Sequence, residues 1–142
     1  MVDYTELAKQ FLNNTYQFRK GYHQKKIDET MQGEAFVIMY LSKRGGDVLP
    51  GEISNKMNIT SARVASALNS LENKGLITRT MDPSDRRRIL VELTPSGKEL
   101  AGSYEQKALD GAKRILEMLG EQDALEFVRI LGKIANLSSE QS

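Results

Sequence analysis

Apolar side chains recur at steps of three and four residues along much of the chain, which is the spacing of a helix with one buried face. This spacing predicts long helices over residues 3–26, 96–119 and 122–137, and a denser apolar run predicts a more deeply buried helix over residues 29–43. Residues 138–142 lack the pattern, and we expect them to fray. The sequence therefore predicts a mainly helical protein.

Two shorter helices are predicted in the middle of the chain. The first begins at Pro50, which has no amide hydrogen to lose in a first helical turn, and ends near Asn58. The second covers residues 61–74, with Thr60 as its N-cap and Gly75 as the residue that ends it. A short extended link is expected just before the first of them.

The helix over residues 61–74 has an unusual outer face. With Val64 at the centre of the buried face, the helical step of about 100° places only small and amide side chains outside. They are Ala62, Ser66, Asn69 and Asn73. A helix that needed only solubility would more often carry Lys and Glu at these positions. We therefore expect this face to lie close to another surface.

A β-hairpin is predicted next. Residues 76–81 and 88–93 are rich in Ile, Val, Leu and Thr, and the segment 82–87 between them has the composition of a turn that carries arginines at its tip. A short helix, a turn, a second helix and a basic hairpin form the order of a winged helix-turn-helix, whose second helix enters the major groove of DNA. The predicted fold class is thus mainly α with a small hairpin wing, and residues 29–95 form the DNA-binding lobe.

Charge is distributed unevenly along the chain. The formal net charge is only +1, but residues 56–88 carry seven basic and three acidic side chains, whereas residues 99–142 carry five and eight. A basic middle segment suits a protein that presents one surface to a polyanion. On charge alone, a chance cluster on a solvated face is an equally good explanation.

Several classes of function are excluded by composition. The chain has no Cys and one His, His23, so disulfides, thiolate metal sites, thiol-based sensing and multi-histidine metal sites are not expected. No glycine-rich phosphate loop occurs, and we predict neither an enzyme nor a bound cofactor or metal. The longest apolar run, residues 35–41, is far shorter than the ~20 residues that span a bilayer. We expect a cytoplasmic protein without a membrane segment.

Three segments carry a resemblance to a known family. They are LENKGLI at residues 71–77, DPSDRR at 82–87 and VELTPSG at 91–97. Together they resemble the signature of MarR-type transcriptional regulators, and the order of helices is similar over the whole chain. The resemblance implies an obligate homodimer, with residues 1–28 and 96–142 as the dimerisation helices. It also implies a repressor of a palindromic operator, and family members often respond to a small lipophilic effector, for which this sequence indicates no site.

Candidate DNA contacts on the second helix follow from its outer face. Ser61 and Ala62 let the backbone approach the bases, while Arg63, Ser66 and Asn69 can contact guanine, phosphate and adenine respectively. The family often has Arg at the position of Ser66. The resemblance therefore does not predict the operator sequence.

Candidate contacts on the hairpin follow from the resemblance. It implies that Asp85 orients Arg87 for insertion into the minor groove, while Arg86 and Arg88 contact phosphates. Arg79, in the first strand, suits a surface ion pair as well as a DNA contact. The rival hypothesis is a winged helix used only for protein–protein contact, because a fold does not by itself imply DNA binding. An arginine wing beside a small-residue helix favours DNA.

Overall fold

The computed structural model describes residues 1–22 and 29–140. Within those ranges the chain forms, in order, α1 (Tyr4–Tyr22), α2 (Glu29–Arg44), α3 (Pro50–Met57), α4 (Ser61–Asn73), β1 (Ile77–Asp82), β2 (Asp85–Leu93), α5 (Pro95–Leu119) and α6 (Glu121–Glu140). The predicted fold class, mainly helical with one β-hairpin, is confirmed.

A single apolar core joins α2, α3, α4, the hairpin and the first turns of α5. Its fully enclosed side chains are Val37, Ile38, Leu41, Val48, Ile53, Val64, Leu68, Leu71, Ile77, Val91 and Ala101. Only Ala101 of this set lies beyond the lobe predicted over residues 29–95. The helix-turn-helix and the hairpin are therefore held by one shared core, which fixes their relative position.

The predicted helix ends are confirmed where side chains define them. The Thr60 Oγ1 atom accepts a hydrogen bond from the Arg63 amide at 3.2 Å, and the Thr94 Oγ1 atom accepts one from the Gly97 amide at 3.0 Å. Gly75, with φ of +74°, adopts the left-handed conformation that follows α4. Local sequence chemistry thus sets both the start and the end of the second helix of the motif.

The hairpin is longer than predicted, and its turn is shorter. Asp82 Oδ1 accepts hydrogen bonds from both the amide and the hydroxyl of Ser84, at 2.9 and 2.7 Å, and closes the turn within two residues. Asp85 pairs with Asp82, and pairing then resumes from Ile89 to Leu93, so Arg86, Arg87 and Arg88 have no partner on β1. The six-residue turn predicted over 82–87 is wrong, because β2 begins at Asp85. The three arginines form a bulge within β2.

The segment between α2 and α3 is pinned to the hairpin. Val48 pairs with Val91 in an isolated antiparallel bridge, with N–O distances of 3.4 and 2.8 Å. The extended link expected over residues 47–49 is confirmed at Val48 and at Leu49, whereas Asp47 adopts a left-handed conformation with φ of +53°. The bridge connects the entry to the helix-turn-helix directly with strand β2.

The first turn of α5 packs unusually close to the base of the hairpin. A Cβ atom placed on Gly97 would lie 2.1 Å from the carbonyl oxygen of Leu76 and 3.0 Å from a methyl carbon of Leu93. The Leu76 carbonyl also accepts a hydrogen bond from the Thr94 amide at 3.0 Å. Only a residue without a side chain fits at this contact.

The outer helices differ from prediction mainly at their ends. Residues 138–140 continue α6 and are not frayed, because Glu140 still lies within the helix; residues 141–142 lie outside the described residues. The first helix is described as far as Tyr22. Residues 23–26 of its predicted span, including His23, lie outside the described residues. No helix in the described ranges is both long and apolar enough to span a membrane.

Candidate nucleic-acid interface

Helix α4 presents the predicted face to solvent. Val64, Leu68 and Leu71 are buried against the core, and the five candidate contact residues are all exposed. These are Ser61, Ala62, Arg63, Ser66 and Asn69. The first turn of α4 contains no acidic residue, so no carboxylate in that turn opposes the positive end of the helix dipole. This face can approach a negatively charged surface closely.

Asp85 and Arg87 form a pair near the tip of the hairpin. The Arg87 Nε atom donates to Asp85 Oδ1 at 3.1 Å and an Arg87 terminal nitrogen donates to Asp85 Oδ2 at 3.3 Å. The Arg87 amide donates to the same carboxylate at 3.1 Å. These hydrogen bonds from Arg87 lower the pKa of Asp85. The Arg87 side chain is nonetheless 91% exposed, so a fully accessible guanidinium is held in one direction by its neighbour.

Arg86 and Arg88 flank Arg87 in the stretch of β2 that has no partner on β1, and all three side chains are exposed. The Arg88 Nε atom lies 3.9 Å from a carboxylate oxygen of Asp82, a long contact that leaves its side chain half exposed. The structure therefore ties Arg87 to Asp85 closely and Arg88 to Asp82 only loosely.

Arg79 connects strand β1 to helix α4. One of its terminal nitrogens donates to Asn69 Oδ1 at 2.6 Å and to Glu72 Oε1 at 3.2 Å, while its Nε atom donates to Glu72 Oε2 at 3.2 Å. The hydrogen bonds from Arg79 lower the pKa of Glu72. Of the two roles considered for Arg79, the ion pair is present in the structure.

Sequence reasoning missed the link between Asn69 and Arg79. The signal available was the spacing of Asn69 and Glu72, which lie one turn apart on α4 and so share a face. The tight left-handed turn at Gly75 brings the following strand back beside that face. Neither feature identifies Arg79 as the partner until the register of the hairpin is known.

A second network fixes the helix-turn-helix to α2, and no pattern in the sequence indicates it. Arg44 donates to both carboxylate oxygens of Glu52 at 2.6 and 3.1 Å, and the Tyr40 hydroxyl donates to the same carboxylate. These hydrogen bonds, the one from Arg44 foremost, lower the pKa of Glu52 to about 2. The Lys74 ammonium bonds to Glu34 at 2.7 Å after the end of α4. Both ends of the motif are thereby tied to one helix.

Comparison with known proteins connects this fold with one family. The MarR family model matches residues 30–88, which contain α3, α4, β1 and the arginines of β2. Over this segment the chain is similar to MarR-family proteins. The transcriptional repressor NicR of Pseudomonas putida is 28% identical over 131 residues, an alignment that covers 91% of this chain and 80% of NicR.

Solved structures of MarR-like fold superimpose along almost the whole chain. YusO of Bacillus subtilis is 28% identical with a TM-score of 0.68, covering 96% of this chain and 99% of YusO. FabT of Streptococcus pneumoniae, solved in complex with DNA, is 23% identical with a TM-score of 0.63, covering 99% of this chain and all of FabT. At this level of sequence identity, the similarity to FabT shows a common fold.

Other curated MarR-type relatives extend further than the matched region. The chain spans 60 to 62% of the length of three transcriptional regulators of Bacillus subtilis. Family members of this kind are regulators and not enzymes, which agrees with the prediction from the sequence that this chain is not an enzyme.

Proposed function

We propose that this chain binds duplex DNA with sequence preference and regulates transcription, acting as a repressor at a palindromic operator. The observation that supports this most strongly is the exposed Arg87 guanidinium, aligned by Asp85 on the hairpin that follows α4. An ordered arginine with no apolar contact to make is suited to a narrow minor groove. A surface built for protein contact would more often bury aromatic and apolar groups.

The exposed face of α4 supplies the second half of the proposed interface. Its small side chains allow the main chain to approach the base edges of a major groove, and Arg63 lies in the first turn, where a recognition helix makes its base contacts. Arg86 and Arg88, which flank Arg87 and are also exposed, suit phosphates on either side of the minor groove. These residues are proposed as the DNA contacts.

The protein is proposed to work as a homodimer built from α1, α5 and α6. Large apolar side chains are exposed within residues 1–18 and 109–137, among them Tyr4, Phe11 and Leu125 at 79%, 64% and 68%. Helix α6 buries none of its residues within the chain. Apolar surface on this scale is rarely left in water. A second copy covers it and gives two equivalent DNA lobes, with residues 1–28 and 96–142 as the dimerisation region and 29–95 as the DNA lobe.

Sedimentation tests the dimer, and a selection experiment tests DNA binding. At low micromolar concentration the protein should sediment at about twice its chain mass of 15.9 kDa. Selection from random duplexes should return an inverted repeat, and affinity for it should fall steeply with salt, since each neutralised phosphate adds about −0.9 to the slope of log K against log salt. A monomer would contradict the first claim, and absence of duplex binding at low salt would support the protein–protein alternative.

Matched variants locate the interface. Arg87→Ala should weaken binding and reduce the salt dependence, whereas Lys107→Ala, the same loss of charge at an exposed position on α5, should do little. Equal effects of both changes would mean that only net charge matters. We also propose a cytoplasmic location. A small lipophilic molecule is proposed to release the protein from DNA, and a panel of phenolic compounds added to the same titration would test this.

A further inference from the structure

Asn69 is held in one orientation by Arg79. A guanidinium group only donates hydrogen bonds, so the atom of the Asn69 amide that faces it at 2.6 Å must be the oxygen. The amide NH₂ group is then the part of the side chain that remains available on the exposed face of α4. Arg79 on strand β1 thus determines that the NH₂ end of the Asn69 amide meets a ligand.

Glu72 also fixes the position of the Arg79 side chain beside Asn69. Glu72, one turn beyond Asn69 on α4, accepts two hydrogen bonds from Arg79, each at 3.2 Å. The Arg79 side chain is only 28% exposed, so it does not swing freely into solvent. Arg79 therefore keeps its place beside α4 whether or not another molecule approaches.

We propose that Asn69 acts on DNA as a hydrogen-bond donor only, and that Arg79 is the positioning residue that makes it so. An asparagine contacts adenine in the major groove by donating to N7 and accepting from the 6-amino group. Arg79 on β1 holds the Asn69 oxygen toward that strand, so we infer that the NH₂ group alone is presented to a base and that the second of these bonds is not made. It suits instead guanine, which offers two acceptors, or the O4 atom of thymine.

This inference rests on the proposed function and replaces the adenine contact expected from the sequence. It assigns a specificity to one base pair in each half-site. The rest of the operator is left to the other contacts. If the inference is wrong, the protein still binds DNA but shows a different base preference at that pair.

The first test locates the base pair that Asn69 contacts. Selection from random duplexes with the wild type and with Asn69→Ala should differ at one base pair in each half-site, where the wild type prefers guanine or thymine by roughly five-fold, the value of one hydrogen bond of about 1 kcal/mol. A wild-type preference for adenine at that pair would overturn the proposal. So would an Asn69→Ala variant that weakens binding to all sequences equally.

The second test uses the unmodified protein. At the same position, adenine is compared with 2-aminopurine, which keeps N7 and pairs with thymine but has no 6-amino donor. A donor-only amide should bind the 2-aminopurine site several-fold more tightly than the adenine site. If adenine binds more tightly, Asn69 accepts from the 6-amino group and Arg79 must have released it.

The third test removes the positioning residue at constant net charge. The double variant Arg79→Met with Glu72→Gln loses one positive and one negative charge and frees the Asn69 oxygen. Its preference at that pair should move toward adenine, whereas Glu72→Gln alone, which keeps Arg79 beside Asn69, should retain the wild-type preference. An unchanged preference in a double variant that melts normally and binds DNA would overturn the role of Arg79. Absence of DNA binding by the wild type would instead refute the proposed function.

Discussion

The sharpest stability prediction concerns Gly97, where α5 meets the base of the hairpin. In Gly97→Ala the new methyl group would lie 2.1 Å from the Leu76 carbonyl oxygen, about 1.3 Å inside the shortest ordinary contact of 3.4 Å. The carbonyl cannot turn away without weakening its hydrogen bond from the Thr94 amide. Relief therefore requires the helix and the hairpin to move apart.

The expected cost follows from these contacts. Overpacking a well-fitted contact costs about 1–3 kcal/mol, and each weakened hydrogen bond adds about 1 kcal/mol. Alanine regains up to about 1 kcal/mol through its higher helix propensity. We expect Gly97→Ala to lower the free energy of unfolding by about 1–4 kcal/mol.

A matched control lies five residues further along the same helix. A Cβ atom on Gly102 would meet nothing within 4 Å, so Gly102→Ala should stabilise the protein by about 0.5–1 kcal/mol. Urea unfolding followed by circular dichroism, at one fixed protein concentration because assembly contributes to stability, measures both. If Gly97→Ala proved as stable as Gly102→Ala, the close contact would not constrain the junction of α5 and the hairpin.

Three further predictions test the interface and its support. Asp85→Ala should weaken operator binding although it makes the wing more positive, and Arg87→Lys should lose much of the affinity that Arg87→Ala loses, because the direction and shape of the guanidinium matter as well as its charge. Titrations at fixed salt measure both effects. Tighter binding by Asp85→Ala would refute the orienting role of Asp85. Arg63→Ala should weaken the selected site by about 5- to 150-fold with little effect on random duplexes, and equal losses on both would make Arg63 a phosphate contact. The pKa of Glu52, lowered to about 2 in the fold chiefly by Arg44, lies below its value of about 4.3 in the unfolded chain. Its stabilising contribution is therefore complete above that value and is lost as the pH falls toward 2; melting temperatures over this range should fall more for the wild type than for Glu52→Gln.

Local chemistry made most of the fold predictable from sequence. Thr60 and Thr94 cap their helices through side chains that bond three residues ahead, and such bonds depend only on neighbours in sequence. The length of the hairpin turn was predicted wrongly because the prediction used composition and not a specific local hydrogen bond. Asp82 closes the turn in two residues by bonding Ser84, and composition alone did not distinguish that compact turn from a longer loop.

The candidate site was predictable in its parts but not in its connections. Periodicity placed Asn69 on the outer face of α4, since a buried Val64 fixes that face. Its bond to Arg79 joins residues ten apart through a hairpin, and depends on strand register, which periodicity does not give. The Arg44–Glu52 pair likewise depends on how α2 and α3 pack. Long-range polar contacts of this kind become visible only when the core is assembled.

The position of the arginines within β2 has a consequence for how copies of the protein meet. In the described part of the chain, the outer edge of β2 is paired only at Val91, by Val48. Residues 86–88 have no partner on β1 either, so the main chain of this bulge is open to another molecule. Open edges can recruit a strand from another molecule, and charged side chains prevent it. Three consecutive positive charges repel the same stretch of a second hairpin. Neutralising all three would therefore expose the protein to edge-to-edge aggregation, apart from any effect on DNA.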